Sequence, residues 1–237
     1  MKTFFTLLFF CAALFVKAQV STYASTSKQE TISTFHTYLS FGAGIICSND
    51  GSLNDFMQAN GGKAISNVSP EARQVSLCFM SRKRNIADHR LGMGFDINYD
   101  SRRSFLEIPI YLELPQGKRS SRFVSLNPGV ERYAIYANPP TNLAMNENGG
   151  YYMSYGYCIG LCYHYNYFLN KDPQMALKLF SGFDAGINFQ LSHSHWDYGN
   201  TRGTGKQQIF IPALENVNIP PPGNINIFIR IHFGVAN

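Results

Sequence analysis

Residues 224–235 read Asn-Ile-Asn-Ile-Phe-Ile-Arg-Ile-His-Phe-Gly-Val. Ile225, Ile227, Ile229, Ile231, Phe233 and Val235 fall on one side of an extended chain. Asn224, Asn226, Phe228, Arg230, His232 and Gly234 fall on the other. Strict alternation of this kind is the period of a β-strand with two unlike faces. The same period recurs in 35–47, 74–83, 89–99, 104–114, 122–131, 151–168 and 177–192. With 224–235 these give eight expected strands. Pro109 and Pro128 each predict a bulge or local break in their segments, because proline cannot donate to a ladder.

Glycine placement sharpens the reading. Gly42, Gly44, Gly92, Gly94, Gly129, Gly156, Gly160, Gly182, Gly186 and Gly234 all lie on the less apolar face. Glycine weakens a strand and is used where side chains would crowd. The inside of a narrow closed barrel is such a place. The less apolar face also carries Arg82, Arg90, Asp96, Glu107, Glu113, Glu131, Lys178, Asp184 and Arg230, among Gly, Ser and Asn. That is a poor solvent face and a reasonable lumen. The apolar face carries charge only at Lys83 and Arg122, both at segment ends, where a headgroup region tolerates it. Tyr38, Tyr99, Tyr151, Tyr152 and Tyr167 flank the segments as interface girdles do. The expected fold is all-β, an eight-stranded antiparallel up-and-down transmembrane β-barrel over residues 35–237. The alternative, a soluble periplasmic lipocalin-like ligand-binding barrel, requires a charged outer face.

Connection lengths agree with the membrane reading. Outer loops fall at 48–73, 100–103, 132–150 and 193–223, and inner turns at 84–88, 115–121 and 169–176. Outer-membrane barrels pair short inner turns with long outer loops. Only 100–103 breaks the pattern.

Composition bounds the rest. The chain has 237 residues, 14% aromatic and only 15% charged. Such a chain is poor in charge but too rich in aromatics for disorder. After the N-terminal region no apolar run reaches the ~20 residues of a spanning helix. Residues 1–18 have the form of a secretory signal peptide: Lys2, an apolar stretch from Phe4 to Val16, and small or apolar residues at Val16 and Ala18. Residues 19–34, rich in Ser and Thr, form the expected flexible leader. Removing 1–18 takes Lys2 and Lys17 from a formal charge of +5. The remainder is too weakly basic for a nucleic-acid partner.

Three short pieces resemble a known family. Phe105-Leu-Glu-Ile-Pro-Ile-Tyr-Leu112 is similar to the "LEIPLLL" strand of the small PorT-like outer-membrane β-barrel family of Bacteroidetes. Leu39-Ser-Phe-Gly-Ala-Gly44 resembles its glycine-rich first strand, and Gly156-Tyr-Cys-Ile-Gly-Leu161 a later one. The resemblance implies an eight-stranded barrel in a bacterial outer membrane and no single activity. The family's terminal aromatic, read by the insertion machinery, corresponds to Phe233, followed here by Gly234-Val-Ala-Asn237.

Candidate chemistry is sparse. Asp96, Glu107, Glu113, Glu131, Asp184, Arg230 and His232 form the expected polar network of the lumen, with nearly balanced charge suited to internal pairs. Cys158 and Cys162, four apart on an extended strand, are separated by ~13 Å. They read as small barrel-facing residues and not as a ligand pair. His193-Ser-His-Trp-Asp197 has two histidines and a carboxylate but no third partner nearby, so it reads as a polar loop with an interface tryptophan. Ser154 and His164 share a face but stand ~33 Å apart along one strand. No catalytic, metal or cofactor site is expected. The expected role is structural or surface-interacting, with a side-chain-filled lumen and no open pore. The expected partners are outer-membrane lipid, the insertion machinery and an unknown extracellular partner of the long loops.

Overall fold

The computed structural model describes residues 35–59, 64–81, 89–137, 150–170, 177–194, 196–199 and 219–237. The signal peptide, the leader, Arg82, Lys83, the turn 84–88 and His195 lie outside the described residues, as do most of 169–176 and 193–223. Among the described residues no helix is long and apolar enough to cross a membrane.

In chain order the elements are β1 (Phe35–Ser48), α1 (Gly51–Ala59), β2 (Val68–Ser81), β3 (Leu91–Tyr99), β4 (Arg103–Glu107), β5 (Ile110–Glu113), β6 (Ser120–Ala137), β7 (Gly150–Phe168), β8 (Lys178–His193), β9 (Asp197–Gly199) and β10 (Ile225–Ala236). All the strands join one antiparallel sheet, in which β4 and β5 are two halves of a single stave. Each stave pairs with its sequence neighbour, and β1 pairs with β10 from Tyr38↔Ala236 to Ser48↔Asn226. The ring therefore closes into an eight-stranded up-and-down barrel, and no sheet edge is left along its length. The short β9 stands outside the ring and pairs with Tyr151–Met153 at the outer end of β7.

All eight alternating segments are staves of the barrel. The boundaries move on the outer side: β2 begins at Val68, β6 runs to Ala137, and β7 begins at Gly150. The expected outer loops 48–73 and 132–150 thus contain strand, and the first also contains α1. That helix follows from local sequence. Asp50 O accepts the Asn54 N–H at 2.8 Å at its start, and Leu53 and Met57, four apart, share its buried face.

The two prolines behave differently. Pro109 sits in the gap between β4 and β5, as a ladder break requires. Pro128 does not break β6, which pairs continuously with β7 through Pro128↔Ile159. The Pro128 carbonyl accepts Ile108 N–H at 2.9 Å, so its ring nitrogen faces the interruption beside Pro109. The missing donor of one proline thus falls where the other has already opened the ladder.

Inward glycines make room for large interior groups. A Cβ at Gly186 would come within 2.5 Å of the Phe228 ring, and one at Gly44 would collide with the Arg230 backbone and side chain.

Candidate functional site

Among the described residues, buried side chains line the interior at every level. At the outer mouth, α1 lays Leu53 and Met57 against Tyr133, Ile135, Tyr152, Trp196 and Ile219. Beneath this cap, Asp50 accepts Arg103 Nη2 at 2.6 Å, Gly223 N–H at 2.8 Å and the Tyr133 hydroxyl at 3.3 Å. Arg103 Nη1 donates to Glu131 at 2.8 Å, and its guanidinium lies 4.7 Å from the centre of the Tyr133 ring. Both members of the Arg103–Asp50 pair are fully sealed from solvent.

The middle of the barrel is amide-rich. Glu107 accepts Asn98 Nδ2 at 2.6 Å and Asn188 Nδ2 at 3.0 Å. Arg230 donates to Asn98 Oδ1 and stacks 4.0 Å over the Phe228 ring. Asp96 accepts Gln74 Nε2 at 3.1 Å. Deeper still, His164 bridges Ser125 Oγ, 2.8 Å from Nε2, and Asp184 Oδ1, 2.7 Å from Nδ1. His232 Nε2 lies 2.7 Å from Asn166 Oδ1, and its Nδ1 lies 3.2 Å from Asp184 Oδ2. Toward the inner end Tyr38, Phe123 and Phe180 pack edge to face. At the inner rim Arg90 Nε lies 3.5 Å from Glu113, which also accepts Gln116 Nε2. The cavity bordering Tyr111, His164 and Asp184 measures about 20 Å³, the space of about one water.

The seven residues read from the sequence all point inward and are all buried. They do not form one network. Glu131 belongs to the outer tier, Glu113 to the inner rim, and the other five to the middle. Among the described residues Asp96, Glu107 and Arg230 make no ion pair; neutral amides, and for Asp96 also the Tyr111 hydroxyl, bind them instead. The sequence reading of balanced internal pairs is corrected on this point, because Asn98 stands between Glu107 and Arg230, and Asn188 caps the other Glu107 oxygen. It also missed Asp50 and Arg103, which 48–73 and 100–103 hid as loop residues. Tyr38 and Tyr152 are not girdle residues: one packs inside the barrel and the other in the outer cap. Trp196 is not at an interface either. Its ring lies 5.8 Å from that of Tyr133, and its indole N–H donates to Pro220 O at 3.1 Å.

The outer wall is the complement of this interior. Phe41, Met93, Leu106, Leu126, Tyr157, Leu161, Phe183, Ile229 and Phe233 are among the large apolar side chains left exposed on it. On β6 the outward positions run Arg122, Val124, Leu126, Pro128, Val130 and Arg132. Ten residues of strand span about 33 Å, or about 25 Å of height at the usual tilt, which is the height of the apolar band of outer-membrane barrels.

No family model matches the chain, and no curated protein matches it. Among solved structures the chain is similar to Neisserial surface protein A (NspA), with a TM-score of 0.42 and 9% identity over 86% of this chain and 96% of that one.

Proposed function

We propose that this chain is a small outer-membrane β-barrel protein, exported by its N-terminal signal peptide, with a structural or surface-interaction role and without enzymatic activity or an open pore. The observation that carries the reading is the outward apolar belt of the barrel, with exposed Ile, Leu and Phe on its staves and bounded on β6 by Arg122 and Arg132. A soluble barrel would place those exposed Ile, Leu and Phe side chains in water, as an apolar surface far larger than monomers tolerate. In lipid the same surface is satisfied, and closure of the ring removes the unpaired backbone groups that hydrocarbon forbids. The filled interior and the α1 cap support a plugged lumen. The PorT-like resemblance of 105–112 supports the outer membrane of a bacterium. The partners of this reading are outer-membrane lipid, the insertion machinery that reads the C-terminal strand, and an extracellular partner at the outer loops.

Fractionation of expressing cells tests it. The reading expects the protein in the outer-membrane fraction, migrating faster on SDS gels when unheated than after boiling. Recovery in the soluble periplasm would overturn it.

A further inference from the structure

The middle of the lumen holds one cluster in which an ion-paired His164 and Asp184 stand beside a thiol and a second imidazole. Cys162 and His164 project inward from alternate positions of β7. The register sets Asp184 of β8 directly opposite His164, and Gly182 opposite His232 of β10. Ligand atoms of Cys162, His164 and Asp184 all lie within 4.8 Å of one another, and all three residues are buried. His232 Nδ1 faces the other carboxylate oxygen at 3.2 Å without the geometry of a hydrogen bond, although the residue is 2% exposed.

We propose that Cys162, His164 and Asp184, with His232 beside them, form a binding site for a divalent transition-metal cation of the Zn²⁺ class. The donor set is thiolate, imidazole and carboxylate, which suits Zn²⁺ and disfavours Ca²⁺ and Mg²⁺, cations that take oxygen ligands. Bond lengths of about 2.0–2.3 Å in a tetrahedron set its ligand atoms about 3.3–3.6 Å apart. Cys162 Sγ and His164 Nδ1 are 4.0 Å apart, and His164 Nδ1 and Asp184 Oδ1 are 2.7 Å apart. A cation therefore enters by small shifts of side chains already fixed by the ladder. Binding releases the thiol proton of Cys162. His164 then binds through Nδ1 and keeps its proton on Nε2, where Ser125 Oγ at 2.8 Å accepts it. Such an outer partner is the usual orienter of a metal-bound histidine. A thiolate, a carboxylate and a dication sum to zero charge, which lowers the cost of ionising buried groups.

Ser125, His164 and Asp184 also stand in the order of a nucleophile, base and orienter. Ser125 is 1% exposed, and the adjoining cavity of about 20 Å³ admits no acyl substrate. A cation needs only the space between its ligands, so the metal reading fits this geometry and the hydrolytic one does not.

The test is refolding of the full chain in detergent micelles with Co²⁺ as the optical stand-in for Zn²⁺. Heat-shifted gels report barrel formation separately, so failure of the site is distinguishable from failure of the fold. The folded protein is expected to retain one equivalent of Co²⁺ after gel filtration. It should show a thiolate-to-cobalt band in the near ultraviolet and tetrahedral bands in the visible, both removed by equimolar Zn²⁺ and not by excess Ca²⁺. Cys162→Ser should abolish the near-ultraviolet band and weaken Co²⁺ binding at least tenfold. Cys158→Ser, four residues along the same inward face, should leave both unchanged. Folded wild-type protein that retains no Co²⁺, or a band that survives in folded Cys162→Ser, would overturn the proposal.

Discussion

Arg103 at the start of β4 reaches Asp50 at the head of α1 across 2.6 Å, and neither side chain touches solvent. This pair ties the outer cap to the barrel wall. Without Asp50, Arg103 keeps Glu131 as its counter-ion, so the cost is that of buried donors left without an acceptor, about 1–3 kcal/mol. Asp50→Ala should lower stability by that amount in urea titrations of the micelle-refolded protein, because Arg103 Nη2 and the Gly223 amide both lose their acceptor. A loss under 1 kcal/mol would contradict the sealed geometry.

The outer wall makes a depth-dependent prediction. Ile229 is 53% exposed in the middle of β10. Arginine at the bilayer midplane costs about 2–4 kcal/mol and about 0–1 near the interface. Ile229→Arg should therefore be costly in a vesicle refolding titration. Val68→Arg, at the outer start of β2 beyond Arg73, should cost little. Equal costs at the two positions would contradict the belt.

Glycine content inside the barrel is a packing requirement, so its removal is position-specific. Gly186→Ala presses a methyl group against the Phe228 ring and Leu161 O. Overpacking of this kind costs about 1–3 kcal/mol. Gly51→Ala meets nothing within 4 Å at the first position of α1 and should be neutral or stabilising by about 0.5–1 kcal/mol. Denaturation midpoints of the two variants, compared at equal slope, check the difference.

Trp196 is the single tryptophan of the chain and is 8% exposed, in the cap and not in the belt. Its emission should be blue-shifted in the folded protein and resist aqueous iodide. Lipids brominated at mid-chain should not quench it. Strong bromolipid quenching would place the side chain in the belt and contradict the cap.

Strand period made the staves legible, because each alternates an apolar outer face with a polar inner one over its whole length. Residues 224–235 alone display the rule. Strand ends were less legible. Beyond Arg73 and Arg132 the outward face no longer meets the belt, so the alternation that marks β2 and β6 fades while the ladder continues. Helix α1 had a readable signal in the spacing of Leu53, Phe56 and Met57, obscured by its position in a long connection. The interior contacts were not readable. Which serine meets His164 depends on register, and the partner is Ser125 on β6, not Ser154 on the histidine's own strand. In the same way Cys158 and Cys162 both join an apolar cluster with Phe105 and Phe228, but of the two only Cys162 also stands with His164 and Asp184.

Planar-bilayer recording tests the plugged barrel most directly. The Asp50–Arg103–Glu131 tier, the Phe228 and Arg230 stack and the Tyr38, Phe123 and Phe180 cluster stand in series along the lumen, and in the proposed reading they close it. Purified protein, shown by its heat-shifted band to be inserted in the same lipid, should leave the bilayer electrically silent. Stable, large, ion-conducting openings from the inserted wild-type protein would contradict a filled interior.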